Sequence, residues 1–300
     1  MSHAARQLTK IGVFYDGNYF DRVSKYYNHR HDKRAWISIP GLHEYIRYRV
    51  ADEEAVDMRN CQVTDAHYFR GRFSAQKSKE KGDDAFYYER VVDDMLMREN
   101  VTAHYLPMNF AGKEKGIDVW LALEAFDLSI HKHFDVVVLI ASDSDYIPLV
   151  RKLKTLGIRV MVVTWTFTQA VSSGDAKPER PSTMLLKEVS YRIPMSEVID
   201  RMDETKGDER DVLSDLFQRR RDRQPNSSAP EADWKIGIIE SLTEKYGYIR
   251  PENGLKKIYF YYSALTDAES DELEIGMEVS YLEGTGQKGP FAKKVRTVSS

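Results

Sequence analysis

Asp135-Val-Val-Val-Leu-Ile-Ala141 is the stretch whose reading decides the fold, and Ser142-Asp143-Ser144-Asp145 follows it without a break. A continuous apolar run rich in β-branched residues leaves no polar face for water, which marks a central parallel strand covered on both sides. Downstream, Asp145 to Thr155 has helical spacing, Gly157 stops it, and Ile158 to Thr164 reads as the next strand. Strand, helix and strand with short joints form a right-handed crossover unit. Upstream, Ile11 to Tyr15 is a short apolar strand, followed by helices expected over Asn18 to Tyr27 and Pro40 to Val50. Between them lies a polar insertion, Asn28 to Arg34. Val63 to Phe69 and Val101 to Leu106 read as strands. Phe86, Val91, Met95 and Leu96 set a helical period within Asp84 to Glu99. Ile117 to Ile130 is apolar nearly all round, so it is expected to be a buried helix. This alternation predicts an α/β domain with a doubly wound parallel sheet.

The 300 residues suggest two domains. Near Asp203 the charges begin to alternate, and a short helix with a flexible linker is expected before Ala232. Beyond it, Trp234 to Val298 shows short alternating strands and glycine turns, the pattern of a small all-β barrel. The expected division is residues 1–202, a charged linker at 203–232, and a second domain at 233–300. No run of about 18 apolar residues offers a membrane span, and the polar N-terminus lacks a signal-peptide core. One cysteine, Cys61, permits neither an internal disulfide nor a cysteine metal cluster, and a cytoplasmic protein is expected. Its place at the start of an apolar alternation predicts buried packing. The formal charge of −3 does not decide for or against nucleic acid, because bound cations are not in that count.

Ligands of a doubly wound sheet bind beyond the carboxyl ends of its strands. Asp16 directly follows the first strand, Asp143 and Asp145 follow the central one, and Asp118 lies in the first turn of the apolar helix. If the two strands are neighbours, these carboxylates meet in one crevice, where they repel unless protons or a cation neutralise them. Oxygen ligands of this kind suit Mg²⁺ or Mn²⁺, which can activate water for phosphodiester displacement. Simpler roles exist for each residue. Asp145 and Asn18 are placed to cap helices, and Asp118 is favoured by the helix dipole. Arg70, Arg72, Lys77, Lys79 and Lys81 form a basic stretch that could guide a phosphate backbone, or could simply be a solvated loop. His29 and His31 lack a further ligand motif and are not assigned to a metal.

Three motifs, Phe-Tyr-Asp16-Gly-Asn18, Lys115-Gly-Ile-Asp118-Val-Trp-Leu-Ala-Leu-Glu124 and Ser142-Asp143-Ser-Asp145-Tyr-Ile-Pro-Leu-Val, resemble the NYN (LabA-like) branch of the PIN-type nucleases. The resemblance covers about Lys10 to Met195 and implies a PIN-like sheet and a metal-dependent ribonuclease. It implies that Asp16, Asp118, Asp143 and Asp145 hold the ions, with Asn18 positioning water or phosphate and Ser142 supporting the site. It also implies products with 5′-phosphate and 3′-hydroxyl ends, and it is compatible with a homodimer. Where the family often has Asp, this chain has Glu124.

In the second domain, Lys245-Tyr-Gly-Tyr-Ile249 and Ile258-Tyr-Phe-Tyr-Tyr262 put Tyr246 and Tyr248 on one strand face and Tyr259 and Tyr261 on one face of another. Paired, they make an exposed platform on which unpaired bases stack at about 1–3 kcal/mol each. Ile249, Ile258 and Phe260 serve the core from the opposite faces. These segments resemble the cold-shock domain, a five-stranded OB-fold, and so imply binding of single-stranded RNA or DNA. Lys256, Phe291 and Lys293 are implied helpers, and Ser241 or its neighbour replaces the family's first-strand tryptophan. From Glu231 to Ser300 there are 9 basic and 12 acidic residues, which predicts few phosphate contacts and a shallow salt dependence.

The combined expectation is a metal-dependent nuclease of single-stranded RNA with an RNA-gripping barrel. The alternative is a non-catalytic RNA-binding regulator on the same scaffold. A decayed site would be expected to have lost one of Asp16, Asp118 or Asp143, and all are present. A phosphatase of another doubly wound family is disfavoured, since no Asp-x-Asp follows the first strand and no glycine-rich phosphate loop exists.

Overall fold

The computed structural model describes residues 8–80, 83–109, 113–169, 177–218, 234–243, 246–252, 257–265, 273–286 and 289–297. The chain divides into two compact units, Met1–Arg220 and Arg221–Ser300.

In the first unit the strands are β1 (Thr9–Asp16), β2 (Cys61–Arg72), β3 (Thr102–Pro107), β4 (Val136–Ile140), β5 (Arg159–Thr164), a hairpin of β6 (Phe167–Gln169) with β7 (Lys177–Glu179), and β8 (Tyr191–Pro194). The sheet order is β3-β2-β1-β4-β5-β8, and every pairing is parallel. The expected α/β, doubly wound parallel sheet is therefore present. β1 lies directly beside β4, Tyr15 opposite Ile140, so both strands end at the same edge of the sheet.

The helices are α1 (Gly17–His29), α2 (Ile39–Glu53), α3 (Ala75–Glu80), α4 (Asp83–Arg98), α5 (Ile117–Lys132), α6 (Ile147–Thr155), α7 (Thr183–Glu188), α8 (Met195–Asp200) and α9 (Asp208–Leu213). Strand alternation sorts the apolar side chains between two layers. Val136, Val138 and Ile140 join a core with α1, α2 and α8, while Val137 and Leu139 join another with α5, α6 and α7. Cys61 is buried in the first of these cores.

Three features depart from the expected elements. α5 is not buried all round. Ile117, Leu121 and Ala125 face the sheet, but Val119 and Leu123 are 63% and 65% exposed, because α5 is an outer layer covered on one side. The helix expected from Asp145 starts as a 3-10 turn, Ser144–Tyr146, and becomes α-helical at Ile147; Gly157 ends it with a φ of 77°. The start of the expected linker is docked rather than free. It carries the expected short helix, α9, but Leu213 and Leu216 are buried in the core, and the Ser38 N–H bonds the Leu216 carbonyl at 2.8 Å. Residues 219–232 of that linker lie outside the described residues.

The second unit contains β9 (Trp234–Leu242), β10 (Tyr246–Pro251), β11 (Ile258–Tyr261), β12 (Glu278–Gly286) and β13 (Gly289–Thr297), closed into a barrel of order β10-β11-β13-β12-β9. Ile239, Ile249, Ile258, Phe260, Val279 and Val295 fill its interior. A closed five-stranded barrel of this size is the expected OB-type fold.

Candidate acidic crevice and tyrosine face

Burial of β1 places Asp16 at the mouth of the sheet, and Gly17 lets the chain turn at once into α1. A Cβ on Gly17 would lie 2.6 Å from the Tyr68 ring and 2.7 Å from the Phe69 carbonyl oxygen, so no larger residue fits without displacement. Asp16, rather than Asn18, is the N-cap. Its Oδ1 accepts from the Tyr19 N–H at 3.0 Å. Burial raises the Asp16 carboxyl to about 6; the neighbouring charges of Asp118 and Glu114 push the same way, and the Tyr19 N–H and Arg22 oppose them.

Asp118 opens α5, where its Oδ1 accepts from the Tyr146 hydroxyl at 2.9 Å. Tyr146 is fully buried, and its phenol is pushed far above its ordinary value by burial and then by Asp16, Asp118 and Asp143. Asp118 is thus tied to the turn after β4, whose strand lies beside the one that ends in Asp16. Asp143 caps that turn through the Asp145 N–H at 3.2 Å, and the carboxylates of Asp143 and Asp145 are both exposed. Asn18 and Ser142 are half-buried at the same strand ends.

Glu124 is elsewhere. It accepts from the Trp120 indole at 3.4 Å and acts on His104, whose Nε2 lies 2.9 Å from His67 Nδ1. The basic stretch is also reassigned. Arg70 and Arg72 belong to β2 and are held by Asp21 at 3.2 Å and Asp93 at 2.5 Å, and Lys77 donates to the Asn109 carbonyl. Carboxylates on α1 and α4 thus occupy both strand arginines. The side chain of Lys79, and Lys81 altogether, lie outside the described residues. Reading the sequence missed Glu114, Arg22 and Tyr146. Tyr146 stands three residues after Asp143 inside the quoted motif, and Glu114 directly precedes Lys115-Gly. Arg22 has no signal of its own in a helix of mixed charge.

Among the described residues, no three histidine, cysteine or acidic side chains stand close enough to grip one ion as they are. The donor set nevertheless fits a hard divalent cation by chemistry. It consists of carboxylate oxygens, and burial, reinforced by the charges of Asp118 and Glu114, raises Asp16, a cost that a cation would relieve.

On the barrel, Tyr246 pairs with Tyr261 and Tyr248 with Tyr259. Their rings adjoin, at 5.3 Å for Tyr246–Tyr259, 5.9 Å for Tyr248–Tyr259 and 4.7 Å for Tyr259–Tyr261. Tyr261 is exposed and the other three are half-buried. Phe291 pairs with Tyr259 across β11 and β13, Lys293 is exposed, and Ser241 stands opposite Tyr248. Lys256 lies outside the described residues.

This fold, with its acidic strand ends, is that of a nuclease-superfamily domain joined to a nucleic-acid-binding barrel. The NYN domain family matches residues 10–177, more than half of the chain, and the chain belongs to that family. The 'Cold-shock' DNA-binding domain family matches residues 235–298. No curated protein matches. Among the solved structures that are similar are two of low identity. One, the drosophila Unr CSD456, is 22% identical over 23% of this chain and 28% of its own, with a TM-score of 0.21. The other is a protein of unknown function from Vibrio parahaemolyticus, 16% identical over 65% of this chain and 96% of its own, with a TM-score of 0.38.

Proposed function

We propose that the first unit is a divalent-metal-dependent ribonuclease and that the barrel holds its single-stranded substrate. The observation that carries this reading is the parallel pairing of β1 with β4 in an NYN domain, which brings Asp16 and the Asp143 turn to one sheet edge, where the buried Tyr146 hydroxyl bonds Asp118. In this reading Asp16, Asp118 and Asp143 hold Mg²⁺ or Mn²⁺, with Asp145 at the exposed rim. Such an ion supplies Lewis acidity and a more acidic bound water.

The remaining work falls to the protein. Tyr146 fixes the rotamer of Asp118 by its hydroxyl bond, and Asp16 is anchored by the Tyr19 N–H at the positive end of α1. Asn18, in the first turn of α1, can bond a phosphate or water. The barrel's four tyrosines offer stacking surface to unpaired bases, of RNA or of single-stranded DNA. Capture there raises the substrate concentration available to the crevice, because both units belong to one chain.

The test is incubation of the full chain with labelled single-stranded RNA and Mn²⁺, beside Asp143→Asn and an EDTA control. Cutting by the parent alone is expected. Equal cutting by Asp143→Asn, or cutting in EDTA, would falsify the assignment.

A further inference from the structure

Arg22 is the cation of the crevice that lacks a complete set of partners. Its Nη2 donates to Glu179 Oε1 at 2.7 Å, and its side chain is 32% exposed. Its Nε is buried and has no hydrogen-bond partner among the described residues. Arg22 lies on α1, directly after β1, and its partner Glu179 on the hairpin that follows β5, so the pair stands beyond the carboxyl ends of the strands, where its charge acts on Asp16 and Tyr19. Other arginines of the unit are differently placed. Arg70 and Arg72 are tied into β2 by carboxylates, and Arg159 pairs with Glu54 at 2.7 Å. Arg49 also has an unbonded Nε, but it sits beside Tyr45 and Glu53 on α2.

A guanidinium presents its N–H groups as a planar fork that fits two oxygens of a carboxylate or phosphate at once. Glu179 engages Nη2 while the covered Nε–H has no acceptor among the described residues, which costs free energy, and a phosphate that displaces Glu179 meets the exposed part of the guanidinium. A phosphodiester entering the acidic crevice brings two non-bridging oxygens with the charge this fork requires. Beside the metal ion of the proposed site, Arg22 is a protein cation placed to meet that charge.

We propose that Arg22 is a substrate-binding residue that takes a non-bridging phosphate oxygen of the bound RNA, and that Glu179 is its internal competitor. This rests on the nuclease reading for the identity of the substrate. Glu179 stands on β7, at the end of the hairpin that packs near α1. In the free protein the pair Arg22–Glu179 therefore also ties the hairpin to α1, and a purely structural tether is the competing explanation. The two explanations differ in sign. Loss of a tether harms the site whichever partner is removed, whereas loss of a competitor helps binding.

The experiment compares Arg22→Gln, Glu179→Gln and the double variant in the full chain. It measures KM and kcat on a labelled single-stranded RNA with Mn²⁺, and affinity for the same RNA by fluorescence anisotropy. Arg22→Gln is expected to raise KM and weaken affinity about tenfold, the loss of one charge-assisted hydrogen bond. Its salt dependence should be shallower by about 0.7 in log–log slope. Glu179→Gln is expected to lower KM and tighten affinity, and the double variant should match Arg22→Gln. Shifts in the same direction for both single variants, or an unchanged salt slope for Arg22→Gln, overturn the proposal. Absence of metal-dependent cutting by the parent chain overturns the nuclease reading instead, and the anisotropy arm still decides the role of Arg22.

Discussion

Asp16→Asn should make the first unit more stable at neutral pH and, on the proposed nuclease reading, abolish cutting of RNA. In the fold the Asp16 carboxyl is raised from 3.8 to about 6, chiefly by burial and then by Asp118 and Glu114. Folded Asp16 keeps its proton up to about pH 6, whereas an unfolded aspartate releases it near 3.8, so the folded state binds more protons in between. Stability therefore falls as pH rises through this window. The linkage amounts to about 3 kcal/mol at pH 7.5 and about 1 kcal/mol at pH 4.5. Asparagine removes the charge and is an equally good N-cap, although it forgoes about 0.3–1 kcal/mol of attraction to the helix dipole. The net expectation is a gain of about 2 kcal/mol at pH 7.5 that largely disappears at pH 4.5. The assay is urea denaturation in EDTA at both pH values, followed by the fluorescence of Trp36, Trp120 and Trp165 in the first unit. Mn²⁺ should stabilise the parent by binding its folded state and should stabilise Asp16→Asn far less. A variant less stable than the parent at pH 7.5, or a difference that ignores pH, would refute the reasoning.

Two further outcomes are expected. Tyr248→Ala with Tyr259→Ala should cost about 1–3 kcal/mol of RNA affinity per stacked base lost, read by anisotropy, with the thermal midpoint of the first unit unmoved; unchanged affinity would assign the barrel another role. Gly17→Ala should destabilise the first unit by about 1–3 kcal/mol, since its Cβ meets the Tyr68 ring and the Phe69 carbonyl and the turn from Asp16 into α1 must shift. A neutral effect on urea unfolding would show that this turn has room to give.

The parallel sheet was legible because strands buried on both faces must be apolar throughout, and Val136 to Ile140 can be read in no other way. The barrel was legible because alternation along β10 and β11 separates Tyr246, Tyr248, Tyr259 and Tyr261 from Ile249, Ile258 and Phe260 whatever the rest of the chain does. Asp16, Asp118 and Asp143 could be named as candidates from their places at the ends of elements, but that the ends of β1 and β4 adjoin came from the sheet order. Partnership across the fold could not be read in this way. Glu124 influences His104, Arg70 and Arg72 are taken by Asp21 and Asp93, and Arg22 is paired with Glu179, all through side chains distant in sequence. The exposed stripe of α5 has the same cause, because periodicity reports how apolar a helix is and only packing reports which neighbours it has. Local pattern determined the elements and their faces; the burial that raises Asp16 and the pairing of Arg22 with Glu179 were decided by the tertiary structure, since burial and electrostatic energy depend on distance in space and not on separation along the chain.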